Sequence, residues 1–139
     1  MLEKGADINT QVGRYGNTFQ AASFKDDKEI VQLLLEKGAD INTHSGRYSN
    51  ALRAASSNGN KEIVQLLLEK GANINTQDNY YSTALYKASD NSNKDIVQLL
   101  LEKGADVNTQ ARRYGNALYA ASENGKKEIV HLLRTAASS

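Results

Sequence analysis

The ten residues IVQLLLEKGA occupy Ile30–Ala39, and they return unchanged at Ile63–Ala72 and again at Ile96–Ala105. The interval is 33 residues both times. A fixed interval of this size marks a stacked array of supersecondary units, not a globule assembled from unlike parts. Laid out at that period, the chain gives full repeats at 13–45, 46–78 and 79–111 and a truncated C-terminal repeat at 112–139. Residues 1–12 match the end of a repeat whose beginning is missing. Residues 1–139 therefore read as a single repeat domain.

One unit shows what each position does. In NALRAASSNGNKEIVQLLLEKGANINTQ (Asn50–Gln77), Asn50 precedes a helix-forming run, Ala51 to Ser57. Its side-chain oxygen suits capping of a free backbone N–H in the first turn. Asn17, Thr83 and Asn116 fill the same column, and all are cap-competent. Gly59 breaks the run for a tight turn. A second helix is expected from near Lys61. Its Ile63, Val64, Leu66, Leu67 and Leu68 cover far more than one stripe, and Glu62, Gln65 and Glu69 leave a narrow polar face. Such a helix must be covered on two sides, by its partner helix and by the neighbouring repeat. Gly71 is expected to end it in a left-handed cap. The pairs Ala21–Ala22, Ala54–Ala55 and Ala120–Ala121 keep the first helices thin and allow close stacking. A single unit cannot bury both sides of its second helix, so stability must come from stacking.

Those residues resemble the ankyrin repeat. Asn50, Ala51, Leu52 and Arg53 take the columns of the family's T-P-L-H, and Gly59–Asn60 those of its G-H. The run from Ile63 to Asn75 follows its I-V-x-L-L-L-x-x-G-A-D-V-N pattern. The resemblance spans essentially the whole chain. It implies an all-α solenoid of stacked helix-turn-helix units with extended, β-hairpin-like finger loops. The Tyr-Gly-Asn-Ala-Leu and Val-Gln-Leu-Leu-Leu versions look like arrays of fungal proteins, which often follow a nucleotide-binding domain of the innate-receptor type. A start such as MLEKGAD, inside a helix, implies an excised or engineered segment. The chain departs from the family pattern as well. The family's Pro is absent from every repeat, its His is replaced by Gln20, Arg53, Tyr86 and Tyr119, and its turn Gly by Tyr15, Tyr48, Tyr81 and Tyr114. Tyr disfavours positive φ, so the finger turn must take another shape. The tyrosine column reads as a packing ladder between fingers.

Composition removes several classes of function. Lys plus Arg number 17 and Asp plus Glu 16, a net charge of +1. Neutralising many phosphates needs a basic surplus, so a nucleic acid is not the expected partner. There is no Cys, which excludes disulfides, thiolate zinc sites and a Cys nucleophile. No apolar run approaches a membrane span, and the first residues show no signal peptide. A cytoplasmic setting is expected, with a nuclear one not ruled out by the sequence. His44 and His131 read as solvated surface residues, and two scattered histidines make a poor metal site. The Asp and Asn columns (Asp7, Asp40, Asn73, Asp106; Asn9, Asn42, Asn75, Asn108) read as turn hydrogen bonds. NGNKEIV lacks the spacing of a phosphate loop. Neither a cofactor nor catalysis is expected.

Columns that stay fixed hold the stack, and columns that vary are free for recognition. The pairs Gln20/Phe24, Arg53/Ser57, Tyr86/Asp90 and Tyr119/Glu123 are spaced i, i+4, so each pair shares a face of its first helix. The next column holds Lys25, Asn58, Asn91 and Asn124. The finger columns hold Gly13, Gly46, Asn79 and Arg112, then Arg14, Arg47, Tyr80 and Arg113. In the fold that the resemblance implies, fingers and first helices form the concave groove, where these columns are expected to bind a protein partner. Tyr and Arg are common energetic anchors of interfaces, and the arginines favour an acidic partner segment. The competing expectation is a structural array that self-associates weakly through open ends.

Overall fold

The computed structural model describes residues 18–42, 50–77, 83–109 and 116–138. They form eight helices in four pairs: α1 (Thr18–Phe24) with α2 (Lys28–Glu36), α3 (Ala51–Ser57) with α4 (Lys61–Glu69), α5 (Ala84–Asp90) with α6 (Lys94–Glu102), and α7 (Ala117–Glu123) with α8 (Lys127–Ala137). Among the described residues there is no strand. The fingers expected between the pairs lie outside the described residues, as do residues 1–12.

Local chemistry sets the helix boundaries. The Asn50 side chain accepts a hydrogen bond from the Arg53 N–H at 2.8 Å, Thr83 from Tyr86 at 3.1 Å, and Asn116 from Tyr119 at 2.9 Å. These three caps start α3, α5 and α7. Three of the second helices, α2, α4 and α6, end alike. After α4, the Ala72 N–H reaches the Leu67 carbonyl and the Gly71 N–H that of Leu68. This double bond pattern closes a helix around a left-handed residue, and Gly71 supplies it at φ +97°.

Packing follows the repeats. The odd helices lie in one layer, α1 against α3, α3 against α5 and α5 against α7. Each also packs against its own even helix. The even helices touch one another more sparingly. Small side chains explain the difference: Ala51, Ala54, Ala55, Ala84, Ala88, Ala117 and Ala121 are buried within or beneath the odd layer. Between the layers runs the apolar seam of Val31, Leu34, Ile63, Val64, Leu67, Ile96, Val97, Leu100, Ile129 and Leu133. Glu62, Gln65 and Glu69 face solvent, as the pattern of α4 requires.

Hydrogen bonds also cross from repeat to repeat. Asn42 Oδ1 accepts from the Asn73 N–H at 2.7 Å, and Asn75 Oδ1 from the Asp106 N–H at 2.9 Å. Within the same turns, Asp40 accepts from the Asn42 N–H and Asp106 from the Asn108 N–H. The Asp and Asn columns therefore tie the three described turns internally and the first two of them to the next.

Candidate recognition surface on the first helices

The first helices carry most of the described candidate contact residues, and the stack sorts them by exposure. Gln20 is wholly buried and Arg53 is 7 % exposed. The expectation that this column faces a partner is corrected for these two residues. Spacing of i, i+4 fixes which side chains share a face, whereas burial depends on what the next repeat lays over that face. Tyr86 is half-buried, and Tyr119 is 53 % exposed. The neighbouring serine column runs the same way. Ser23, Ser56 and Ser89 are wholly buried, while Ser122 in the fourth repeat is exposed.

The second members of the pairs lie nearer the surface. Phe24 and Ser57 are half-buried, and Asp90 and Glu123 are exposed. The column thus changes from apolar to acidic along the stack.

Asn58, Asn91 and Asn124 serve the stack itself. Their side-chain amides donate to backbone carbonyls of the preceding repeat: Asn58 to Phe24 at 2.7 Å, Asn91 to Ser57 at 2.7 Å, and Asn124 to Asp90 at 2.9 Å. They remain exposed on their outer sides. Lys25 holds this column in the first repeat and is exposed. Arg14, Arg47, Tyr80 and Arg113 lie outside the described residues, as do the column of Tyr15, Tyr48, Tyr81 and Tyr114 and the residue His44.

One residue escaped the sequence reading. Lys87 stands in the column of Ala21, Ala54 and Ala120, and it is half-buried in the layer of first helices. The signal was present, because Lys87–Ala88 is the one place where the repeated Ala-Ala pair is broken. A long cation between two alanine positions has room to lie along the surface they leave.

Charge elsewhere follows the starts of the second helices. Lys28 pairs with Glu62, and Lys94 with Glu128 at 3.4 Å, each pair joining adjacent repeats. Glu62 holds the Lys28 ammonium above its ordinary pKa through a hydrogen bond and its charge. Lys28 in turn holds the Glu62 carboxyl below the usual carboxylate range. Both pairs are solvent-exposed, so salt screens them.

Among the described residues no group of three or more His, Cys, Asp and Glu side chains is placed to hold a metal ion. His131 is exposed, in a shallow hollow of about 350 Å³ beside Ser122, Lys127 and Arg134. No helix among the described residues is long and apolar enough to cross a membrane. The family model for ankyrin repeats (3 copies) matches residues 18–111. A comparison with curated proteins finds no match.

Proposed function

This chain belongs to the ankyrin repeat family, whose members are generally protein–protein interaction modules and typically non-catalytic, and we propose that it is a scaffold that binds a partner protein in the groove formed by its first helices and fingers. The carrying observation is the accessible strip Tyr86, Lys87, Asp90, Tyr119 and Glu123 on α5 and α7. Two tyrosines supply broad, rigid contact area, and the same two helices carry one half-buried cation and two exposed carboxylates. The closer approach of the odd helices favours a stack that curves toward them, as a groove requires. Phe24, Lys25, Ser57 and Asn58 continue the strip toward the first two repeats, and Asn91 and Asn124 extend it at the ends of α5 and α7. Arg14, Arg47, Tyr80 and Arg113 complete the proposed groove from the fingers and favour an acidic partner segment. Gln20 and Arg53 act on this reading by holding the helices that present the strip. The cytoplasm or nucleus, in a fungal protein of the receptor type, is the setting that goes with it.

The test compares the intact chain with a Tyr86→Ala/Tyr119→Ala variant as bait in quantitative affinity capture. Proteins retained by the first and lost by the second, with helical circular dichroism unchanged, support the surface. An identical set of captured proteins at equal yield moves the site elsewhere.

A second reading, weak self-association, rests on Leu33, which is 42 % exposed on α2 whereas the equivalent Leu99 is buried. Sedimentation velocity over a dilution series decides it, and a monomer at every concentration removes it.

A further inference from the structure

Asn58, Asn91 and Asn124 end their first helices in equivalent places and tie their side-chain amides to the preceding repeat. Their successors differ. Gly59 follows Asn58 and Gly125 follows Asn124, whereas Ser92 follows Asn91. Glycine has no Cβ to obstruct attack by its own backbone nitrogen. We propose that Asn58 and Asn124 are deamidation sites, that the closed seam between repeats holds the reaction in check, and that conversion loosens the seam.

The reaction needs only water. The Gly59 backbone nitrogen loses its proton to solvent and attacks Cγ of Asn58. The new N–Cγ bond closes a succinimide ring as the Cγ–Nδ2 bond breaks. Nδ2 takes up a proton and leaves as ammonia. Water then opens the ring at either carbonyl, giving aspartate or isoaspartate. Gly125 and Asn124 react in the same way.

The folded backbone opposes this attack. The ψ angle is 6° at Asn58 and 1° at Asn124. The following nitrogen then nearly eclipses the residue's own nitrogen, well away from the side-chain branch. The leaving Nδ2 is also held by the neighbouring carbonyl. Reaction therefore waits for local opening of the seam.

The seams are stitched unequally. Asn60 adds amide bonds to the Ser23 and Phe24 carbonyls at 2.8 and 2.9 Å. Asn93 adds one to Ser56 at 3.5 Å. The fourth repeat has Lys126 in that column and no amide to offer. The α5–α7 seam thus relies more heavily on Asn124 and is the readier to open. Its product is also the more disruptive, because Asn124 Nδ2 lies 3.4 Å from the Asp90 carboxylate as well as 2.9 Å from its carbonyl. A carboxylate there exchanges attraction for repulsion.

Peptide mapping of the whole chain, held at mildly alkaline pH with and without unfolding urea, tests the proposal. In the native chain Asn124 converts first and Asn58 second, both several-fold faster than Asn91, and urea accelerates both many-fold. Asn91 keeping pace, or native and unfolded chains reacting alike, overturns it. Asn124→Asp should also lower the thermal midpoint further than Asn124→Ala does. Equal falls overturn the claimed loosening.

Discussion

Leu67 lies in α4 with no solvent exposure, in the apolar seam shared with Val31, Leu34, Ile96 and Leu100. Leu67→Ala removes three buried carbons, worth about 2.4 kcal/mol at about 0.8 kcal/mol each. A residual cavity of about 50 Å³ adds about 1.2 kcal/mol at about 24 cal/mol per Å³. The expected loss is therefore about 3.5 kcal/mol, inside the range of about 2 to 5 kcal/mol for such substitutions. That is a large part of the stability of a small domain. Leu33→Ala provides the matched control. Leu33 is the same residue type on a second helix, but it is 42 % exposed, so its loss should stay below about 1.5 kcal/mol. Glu69→Ala, on the solvent face of α4, should change almost nothing. Urea unfolding followed by helical circular dichroism reads all three from the midpoint shift at constant slope. Equal and small losses at Leu67 and Leu33 would refute the two-sided burial on which the packing argument depends.

Ser92 holds φ +64° where Gly59 and Gly125 sit at +76° and +67°. Ser92→Gly should therefore raise stability by about 0.5 to 1 kcal/mol in the same urea assay, and a loss would show that the serine side chain is needed there. In the Lys28–Glu62 pair the folded pKa of Glu62 is lowered, so its contribution holds above the unfolded carboxylate pKa and fades as pH falls through the folded one. For Lys28 the pKa is raised, so its contribution holds below the unfolded lysine pKa and fades as pH rises through the folded one. Neutral pH lies inside that window. NMR titration should find the Glu62 midpoint below the ordinary carboxylate range and returned to that range by Lys28→Met or high salt; a midpoint indifferent to both refutes the pairing. Gln20→Ala and Arg53→Ala, both at buried positions, should lower the thermal midpoint without altering partner affinity when folded, whereas Tyr119→Ala should do the reverse.

The helices were legible because their signals are local. Asn50, Thr83 and Asn116 announce caps, Gly71 announces a stop, and the spacing of Ile63, Val64 and Leu67 requires a buried helix. The proposed recognition surface was less legible because its chemistry spans repeats. Asn58 looks like a free polar residue until its carbonyl partner, 34 positions earlier at Phe24, comes into view. Gln20 and Arg53 share helix faces with Phe24 and Ser57, yet the stack buries the first members more deeply. Asn60 and Asn93 occupy the cap position of α4 and α6 without capping them, their amides being turned to the preceding repeat. Lys87 was visible as a broken Ala-Ala pair, but only the packed layer gives that break a meaning.

Methyl-to-methyl nuclear Overhauser contacts in the labelled chain test the stacked arrangement most directly. Neighbouring repeats should show them across each seam, as between Leu34 and Leu67 or Leu67 and Leu100, and none should join the first repeat to the fourth. Contacts linking Val31 or Leu34 to Ile129 or Leu133 would mean that the ends of the array meet in one compact core, contradicting the stack and the surface built on it.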